Sequence, residues 1–419
     1  MRDGWQRRAA VRGPGSGAAL AAALLAMALG AGVVQGQAGA APPSGSLADA
    51  DAVAPAADPV LVFGEYPAGD VEAVDGDTLR VRGLERPVRL LALDTEEVLH
   101  GSDLDAPLAR LMREDFARYV RAVTEGKHLP VKYATPMGVS ASAFAREFFA
   151  GAARVRLELD RPERSTGRYG RALCYAWAIF DDGRPPQLYN LEAVRAGMSP
   201  YCVKYGRSAR FDGAFRAAQA EARQARRGIW DPALRHYPDY ERRLAWWERR
   251  ALALEQLERL RAEHPELIAL GEAAAIRALV RRQGRPVTVW GIVDEHDPQA
   301  VREHERGVDI LIGQPYEIHV EVRGRELARQ IARALAPAFG RELPQGAEPP
   351  PLAEVIHGEA LVVCGPLDRG DLPLPRRSKQ TYLRIAVRSP DQIRPAHLGL
   401  LPRDAGAPGA EPPGDGAAR

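Results

Sequence analysis

The stretch from residue 71 to residue 97, VEAVDGDTLRVRGLERPVRLLALDTEE, limits what this chain can become more than any other. Val71 and Ala73, then Leu79 and Val81, then Val88, Leu90 and Ala92 alternate with the period of half-buried strands. Asp75-Gly76-Asp77 between the first two runs is turn chemistry, so the stretch reads as a tight meander. Such a support delivers Asp77, just past the turn, to the neighbourhood of Arg89, Asp94, Thr95 and Glu97 along and beyond the third strand. Burying carboxylates together demands compensation, which a hard cation supplies best. A turn aspartate with solvated surface ion pairs is the plainer alternative, and spacing alone leaves it open.

Three motifs weigh on that choice. Asp75-Gly76-Asp77-Thr78 is followed by Arg89-Leu90-Leu91-Ala92-Leu93-Asp94-Thr95-Glu96-Glu97 and later by Tyr169-Gly170-Arg171. In that order they resemble the thermonuclease (staphylococcal-nuclease-like) family over roughly residues 70 to 231. The resemblance implies a mainly β fold with helices (α+β), an OB-fold five-stranded barrel of staphylococcal-nuclease type. It also implies one Ca²⁺ held by the carboxylates of Asp77 and Asp94 and the backbone carbonyl of Thr95. Glu97 is then placed to take a proton from the attacking water, and Arg89 and Arg171 to clamp the phosphate. Arg168 and Tyr169 match positions that contact a substrate phosphate. One departure is plain: Glu96 stands where the family usually has proline, which removes a φ restraint from the Glu97 loop and adds a spare acid. On this reading Glu96→Gln does little.

Ahead of the meander, Arg2, Arg7, Arg8 and Arg12 precede an apolar run from about Ala18 to Val34 and the small residues Ala38-Gly39-Ala40. Residues 1–40 therefore read as a signal peptide for export to the periplasm or beyond, with an N-terminal membrane anchor as the alternative if it is not cleaved. Residues 41–58, rich in Ala, Pro, Ser and Asp, read as a disordered tether, and the nuclease-like domain as 60–232. Within that domain, DLDAPLARLMREDFARYVRAV reads as one amphipathic helix capped by Asp105, with Pro107 in its first turn. Residues 124–137 follow as a loop beside the site, either shaping substrate access or serving as a structural insertion. Gly138 opens the next helix. Tyr201 and Tyr205, in a loop with Lys204, Arg207 and Arg210, have the composition of a surface that stacks bases and attracts phosphates; a packed surface is the alternative. Asn190 falls on a family position whose role is structural. Cys174, Cys202 and Cys364 allow one intramolecular bridge at most, and the apolar run around Cys174 favours a buried free thiol.

A composition break near Pro232 suggests that the domain ends there and folds alone. Residues 233–268 then form a helical linker, whose long charged helix from Tyr240 to Glu263 carries the stripe Leu244, Trp247, Ala251, Leu254 and Leu257 and is read as a spacer between domains. Residues 269–396 carry about five short strands with a weaker likeness to an OB-type barrel, whose aromatics Trp290, Tyr316 and Tyr382 offer a face for nucleic acid or for docking. His296 and His304 are not spaced as metal ligands, and residues 397–419 read as a disordered tail. At 419 residues, 46% hydrophobic and a formal charge of +2, the chain can bury two cores, and its bulk charge names no partner. The expected activity is an exported Ca²⁺-dependent endonuclease acting on DNA or RNA, with no stable protein partner. A non-catalytic nucleic-acid-binding or scaffold protein on the same barrel is the alternative.

Overall fold

Two β-sheets are joined by one long helix. The structure, a computed structural model, describes residues 53–99, 106–125, 127, 130–163, 165–167, 170–271, 273–295, 297–313, 316–371 and 381–403. The expected signal peptide, most of the tether and most of the tail lie outside the described residues, as do Asp105, Arg168, Tyr169 and His296. No helix among the described residues is long and apolar enough to cross a membrane.

The first sheet is built from β1 (Val62–Pro67), β2 (Val71–Ala73), β3 (Thr78–Val81) and β4 (Val88–Leu90). The alternation that announces the meander is real: β3 buries Leu79 and Val81 and exposes Arg80 between them. Next come α1 (Pro107–Glu114) and α2 (Phe116–Thr124), two helices where the sequence suggests one. Asp115 breaks them, leaving helical geometry at φ −142° and accepting from the Arg118 N–H as the N-cap of α2. Then α3 (Pro136–Ala150) starts two residues before Gly138, because Thr135 caps it and proline suits its first position. The domain continues through β5 (Arg154–Glu158), β6 (Leu173–Ile179), β7 (Gln187–Leu188), α4 (Tyr189–Arg195) and α5 (Asp212–Gln224).

Strand order is β1-β5-β6-β4-β3-β2, with β7 on β6, so this sheet has seven strands where five were expected. The sequence conceals β1, which contains Gly64 and Pro67 and shifts register between Val62 and Gly64. What positions the site is β4. It lies between antiparallel β3 and parallel β6, with Arg89 opposite Thr78 on one side and Leu173 on the other.

After α6 (Tyr240–Glu263) the second sheet takes β8 (Ile268–Ala269), α7 (Ala273–Arg281), β9 (Pro286–Ile292), β10 (Val301–His304), β11 (Gly307–Ile312), β12 (Ile318–Arg323), α8 (Arg325–Leu335), α9 (Leu352–Ile356), β13 (Ala360–Asp371), β14 (Thr381–Val387) and β15 (Ile393–Pro395). Its order is β10-β11-β12-β14-β13-β9-β8, with β15 on β13, making eight strands rather than about five. Trp290 is buried, against the expectation that it offers an exposed stacking face, whereas Tyr316 is exposed.

The helix α6 is not a free spacer. Trp246, Trp247 and Ala251 sit in the same apolar cluster as Leu79, Leu90 and Trp177 of the first sheet. Its later turns, through Ala253 and Leu260, pack with Trp290 and Val362 of the second. Polar ties follow the same path: the Trp246 indole donates to Gly358 O at 3.0 Å, Arg249 pairs with Glu359 at 2.6 Å, and Lys204 pairs with Glu295 at 2.8 Å. The break near Pro232 is thus a turn inside a shared core. A chain ending at Ala233 lacks Tyr237, Tyr240, Trp246 and Trp247, all buried. Trp247→Ala alone should cost about 3–5 kcal/mol in chemical denaturation, and the shortened chain should fail to give a cooperative thermal transition. A normal transition from the shortened chain would show that α6 is dispensable.

Candidate active site

The turn Asp75–Thr78 can be this tight because residue 76 is glycine: a Cβ there would lie 2.6 Å from the Thr95 side chain and 2.8 Å from Ala141. The buried Tyr189 hydroxyl donates to Gly76 O at 2.8 Å and fastens the turn. Asp77 emerges buried. One of its carboxylate oxygens accepts from Thr78 Oγ1 at 3.0 Å and from Arg89, and the other accepts from the Thr95 N–H at 3.0 Å. Arg89 spends its other nitrogen on Asp94 Oδ1 at 2.8 Å and Leu93 O at 3.1 Å. The planar guanidinium therefore spans both carboxylates, as a fork does and a lysine cannot. Burial works against the Arg89 cation, but Asp77 and Asp94 together outweigh it and raise its pKa. Burial and then the Asp77 charge push the Asp75 carboxyl up to about 6.

Lys132 completes the cluster, a residue that sequence reasoning missed. Its ammonium lies 2.7 Å from Asp94 Oδ1 and 3.3 Å from Glu97 Oε1. Burial would by itself raise the Asp94 pKa, yet Lys132 and Arg89 hold that carboxyl well below the usual range. Lys132 belongs to the loop expected beside the site, and the loop does reach it. The only signal available was that location.

Glu96 and Glu97 diverge. Glu97 keeps 46% of its side chain exposed and faces Lys132. Glu96 turns inward, with 2% exposure, and accepts from Thr135, from the Tyr237 N–H at 2.6 Å and from the Tyr240 hydroxyl at 2.7 Å. It is therefore no spare acid at the site. Burial raises its pKa, and these donors oppose the rise. In place of a proline restraint, Glu96 ties the Glu97 loop to the segment that enters α6. The α3 start is pressed against it as well, since a Cβ on Gly138 would lie 2.1 Å from Glu97 O.

A cavity of about 530 Å³ opens at this cluster, lined by Arg89, Asp94, Lys132 and Arg171 and, from the second sheet, by Trp290 and Ile292. Arg171 precedes β6 by two residues, and among the described residues no ion pair engages its side chain. Tyr205 lines the cavity too and is half exposed, with the Lys204 ammonium 5.2 Å from its ring centroid. Tyr201 does not join it. Its ring is buried and stacked on Phe215 at 4.9 Å, and its hydroxyl donates to Asp212 at 2.8 Å. The basic residues around it are also committed: Lys204 to Glu295, Arg207 to Glu248 and Glu255, and Arg210 to Glu158 at 2.7 Å. Asn190 is structural, accepting from the Ala176 N–H at 2.8 Å and donating to Leu91 O at 2.8 Å. All three cysteines are buried and outside any disulfide, and burial pushes the thiols of Cys174 and Cys202 up to about 12.

Residues 88–232 match the staphylococcal nuclease homologue family. The resemblance seen in the motifs therefore holds over that segment, a family of nucleases and nucleic-acid-binding domains. The nuclease-homologue segment begins at β4, and the Asp75–Thr78 turn joins it through the Thr78–Arg89 register.

The fit of the family's Ca²⁺ can be judged from the donors. Among the described residues no three His, Cys, Asp or Glu side chains converge to hold a metal. The set is two carboxylates, the buried Asp77 and the largely buried Asp94, with the Thr95 backbone beside them, hard oxygen donors of the kind Ca²⁺ takes. The Lys132 ammonium at Asp94 is a stand-in cation, and its presence shows that the carboxylates accept positive charge there. Removing Glu96 tests the support beneath them. Glu96→Ala leaves three donors without a partner and should lower unfolding free energy by on the order of 3 kcal/mol in urea titration, with Glu96→Gln milder because its carbonyl still accepts. An unchanged midpoint for Glu96→Ala would count against the anchoring role.

Proposed function

We propose that the chain hydrolyses phosphodiester bonds of DNA or RNA at the Asp77–Arg89–Asp94 cluster. The observation that carries this reading is Arg171: a guanidinium without an ion pair among the described residues, in the same cavity as Arg89, Asp94 and Lys132. A planar donor fork held there matches two non-bridging phosphate oxygens and steadies the charge that grows on them. Arg89, already spanning two carboxylates, holds the cluster together and contributes its positive charge at short range. Glu97, accessible and adjoining Asp94 through Lys132, takes the proton from the attacking water. Tyr205 offers an exposed ring beside the phosphate region for a base.

When bound, Ca²⁺ would be held by Asp77, Asp94 and the Thr95 carbonyl and would supply Lewis-acid polarisation of the phosphoryl oxygen. On the same reading the first sheet is an OB-type barrel around a five-stranded core, the second sheet is a related barrel, and residues 1–40 export the protein. The match to nuclease homologues supports the nucleic-acid substrate class.

With Ca²⁺ present, the purified chain should cut denatured DNA in a zymogram, and excess EGTA should stop it. Glu97→Gln should slow turnover by roughly 10² to 10⁴ without a loss of stability. Arg171→Ala should reduce cleavage and leave the melting temperature unchanged, whereas Arg89→Ala should reduce both. Cleavage that persists at full rate in Arg171→Ala would remove that residue from the reaction. A chain that binds single strands and cuts none under any of these conditions would favour the non-catalytic alternative.

A further inference from the structure

The proposed reaction gives Lys132 no task, yet the backbone that presents it is firmly held. The residues on either side of it are fastened from α2, from α6 and the turn ahead of it, and from the loop after β4. Arg243 of α6 donates to Val131 O. The Tyr133 N–H donates to the Tyr237 hydroxyl at 3.0 Å, and that hydroxyl donates to Tyr133 O at 2.7 Å. The Tyr119 hydroxyl of α2 donates to Ala134 O at 2.8 Å, and the Thr135 N–H donates to Glu97 O at 3.1 Å. A lysine on a solvated loop loses rotamer entropy when it is held in one place. Here the backbone is already held, so the ammonium arrives oriented, 2.7 Å from Asp94 and 3.3 Å from Glu97.

We infer that the Lys132 ammonium is the resident cation of Asp94 and Glu97, and that a divalent ion reaches Asp94 only by displacing it. The inference rests on the reading that Asp77 and Asp94 are the Ca²⁺ ligands. Two cations at one carboxylate repel, and a tenfold change in affinity corresponds to about 1.4 kcal/mol of such repulsion. Lys132 thus sets the Ca²⁺ concentration at which the site fills, and it keeps the carboxylates neutralised when Ca²⁺ is scarce. An exchange of this kind moves only a side chain, since the flanking backbone stays tied to Tyr119, Tyr237 and Arg243.

The test is calorimetric titration of the full chain with Ca²⁺ alone, for wild type, Lys132→Met, Lys132→Arg and Asp94→Asn. Lys132→Met should bind Ca²⁺ at least about tenfold more tightly than wild type, Lys132→Arg should stay within a few-fold of wild type, and Asp94→Asn should abolish binding. Equal affinity of wild type and Lys132→Met, weaker binding by Lys132→Met, or no binding by any form would overturn the inference. A second measurement needs no variant: acylation of Lys132 by an N-hydroxysuccinimide ester, followed by mass spectrometry of the wild-type chain. Saturating Ca²⁺ should accelerate labelling of Lys132 several-fold and leave other lysines unchanged; an unchanged rate at Lys132 would count against displacement even if Lys132→Met fails to fold. No nucleic acid enters either measurement. Displacement without cleavage would therefore sink the hydrolysis reading alone, and cleavage without displacement would sink this inference alone.

Discussion

The guanidinium of Arg89 is the interaction on which the rest depends. It lies on the one strand of the first sheet that has β3 on one side and β6 on the other, and it bridges Asp77 of the turn to Asp94 of the loop. Two carboxylates so close and so little hydrated would repel each other; removing a partner shared by buried charges typically costs several kcal/mol. Every neighbouring feature serves that bridge. Gly76 lets the turn close on Thr95, Tyr189 fastens it, and Thr78 and the Thr95 N–H take the remaining valences of Asp77. The Asp75 carboxyl on the same turn is raised to about 6, first by burial and then by the Asp77 charge.

A second layer holds that layer. Glu96 is the hinge between them, since its carboxylate collects donors from Thr135, Tyr237 and Tyr240 and so joins the loop after β4 to the start of α6. From there α6 carries the connection on to the second sheet through Trp246, Arg249 and Arg250, the last donating to Gly358 O at 2.8 Å and pairing with Glu295. The second sheet in turn lends Trp290 and Ile292 to the lining of the cavity. The two sheets thus line one cavity, and the nuclease-homologue segment packs against residues beyond its own end.

Much of the first layer is legible in the sequence because it is local. Period-two alternation gives β2, β3 and β4, and a DGDT turn with a following Arg and Asp places opposite charges on facing ends. The long helix is read to the residue, Tyr240 to Glu263, from its stripe alone. The stripe does not say what it faces, and so its partner core stayed hidden. Tyr201 and Tyr205 share a loop and a composition, yet one is stacked under Phe215 and the other is open to the cavity. Which ring turns inward depends on α5, distant from any local pattern. Glu96 and Glu97 part company for the same reason, their destinations being set by Tyr240 and by Lys132. Lys132 itself sits in a stretch without periodicity, where a lysine is ordinarily solvated.

The hydrogen bonds that reach Glu96 from Tyr237 and Tyr240 cross sequence separations of 141 and 144 residues, and the one from Arg243 to Val131 crosses 112. Their length orders events during synthesis. When the ribosome has completed Trp230, every carboxylate and arginine of the cluster exists, but the groups that hold residues 131–135 against them do not. Long-range contacts also form late, because loop closure has to come first. The cluster is therefore held in place only after α6 has been made and docked, so that the growing chain carries the parts of the site well before it carries an assembled one.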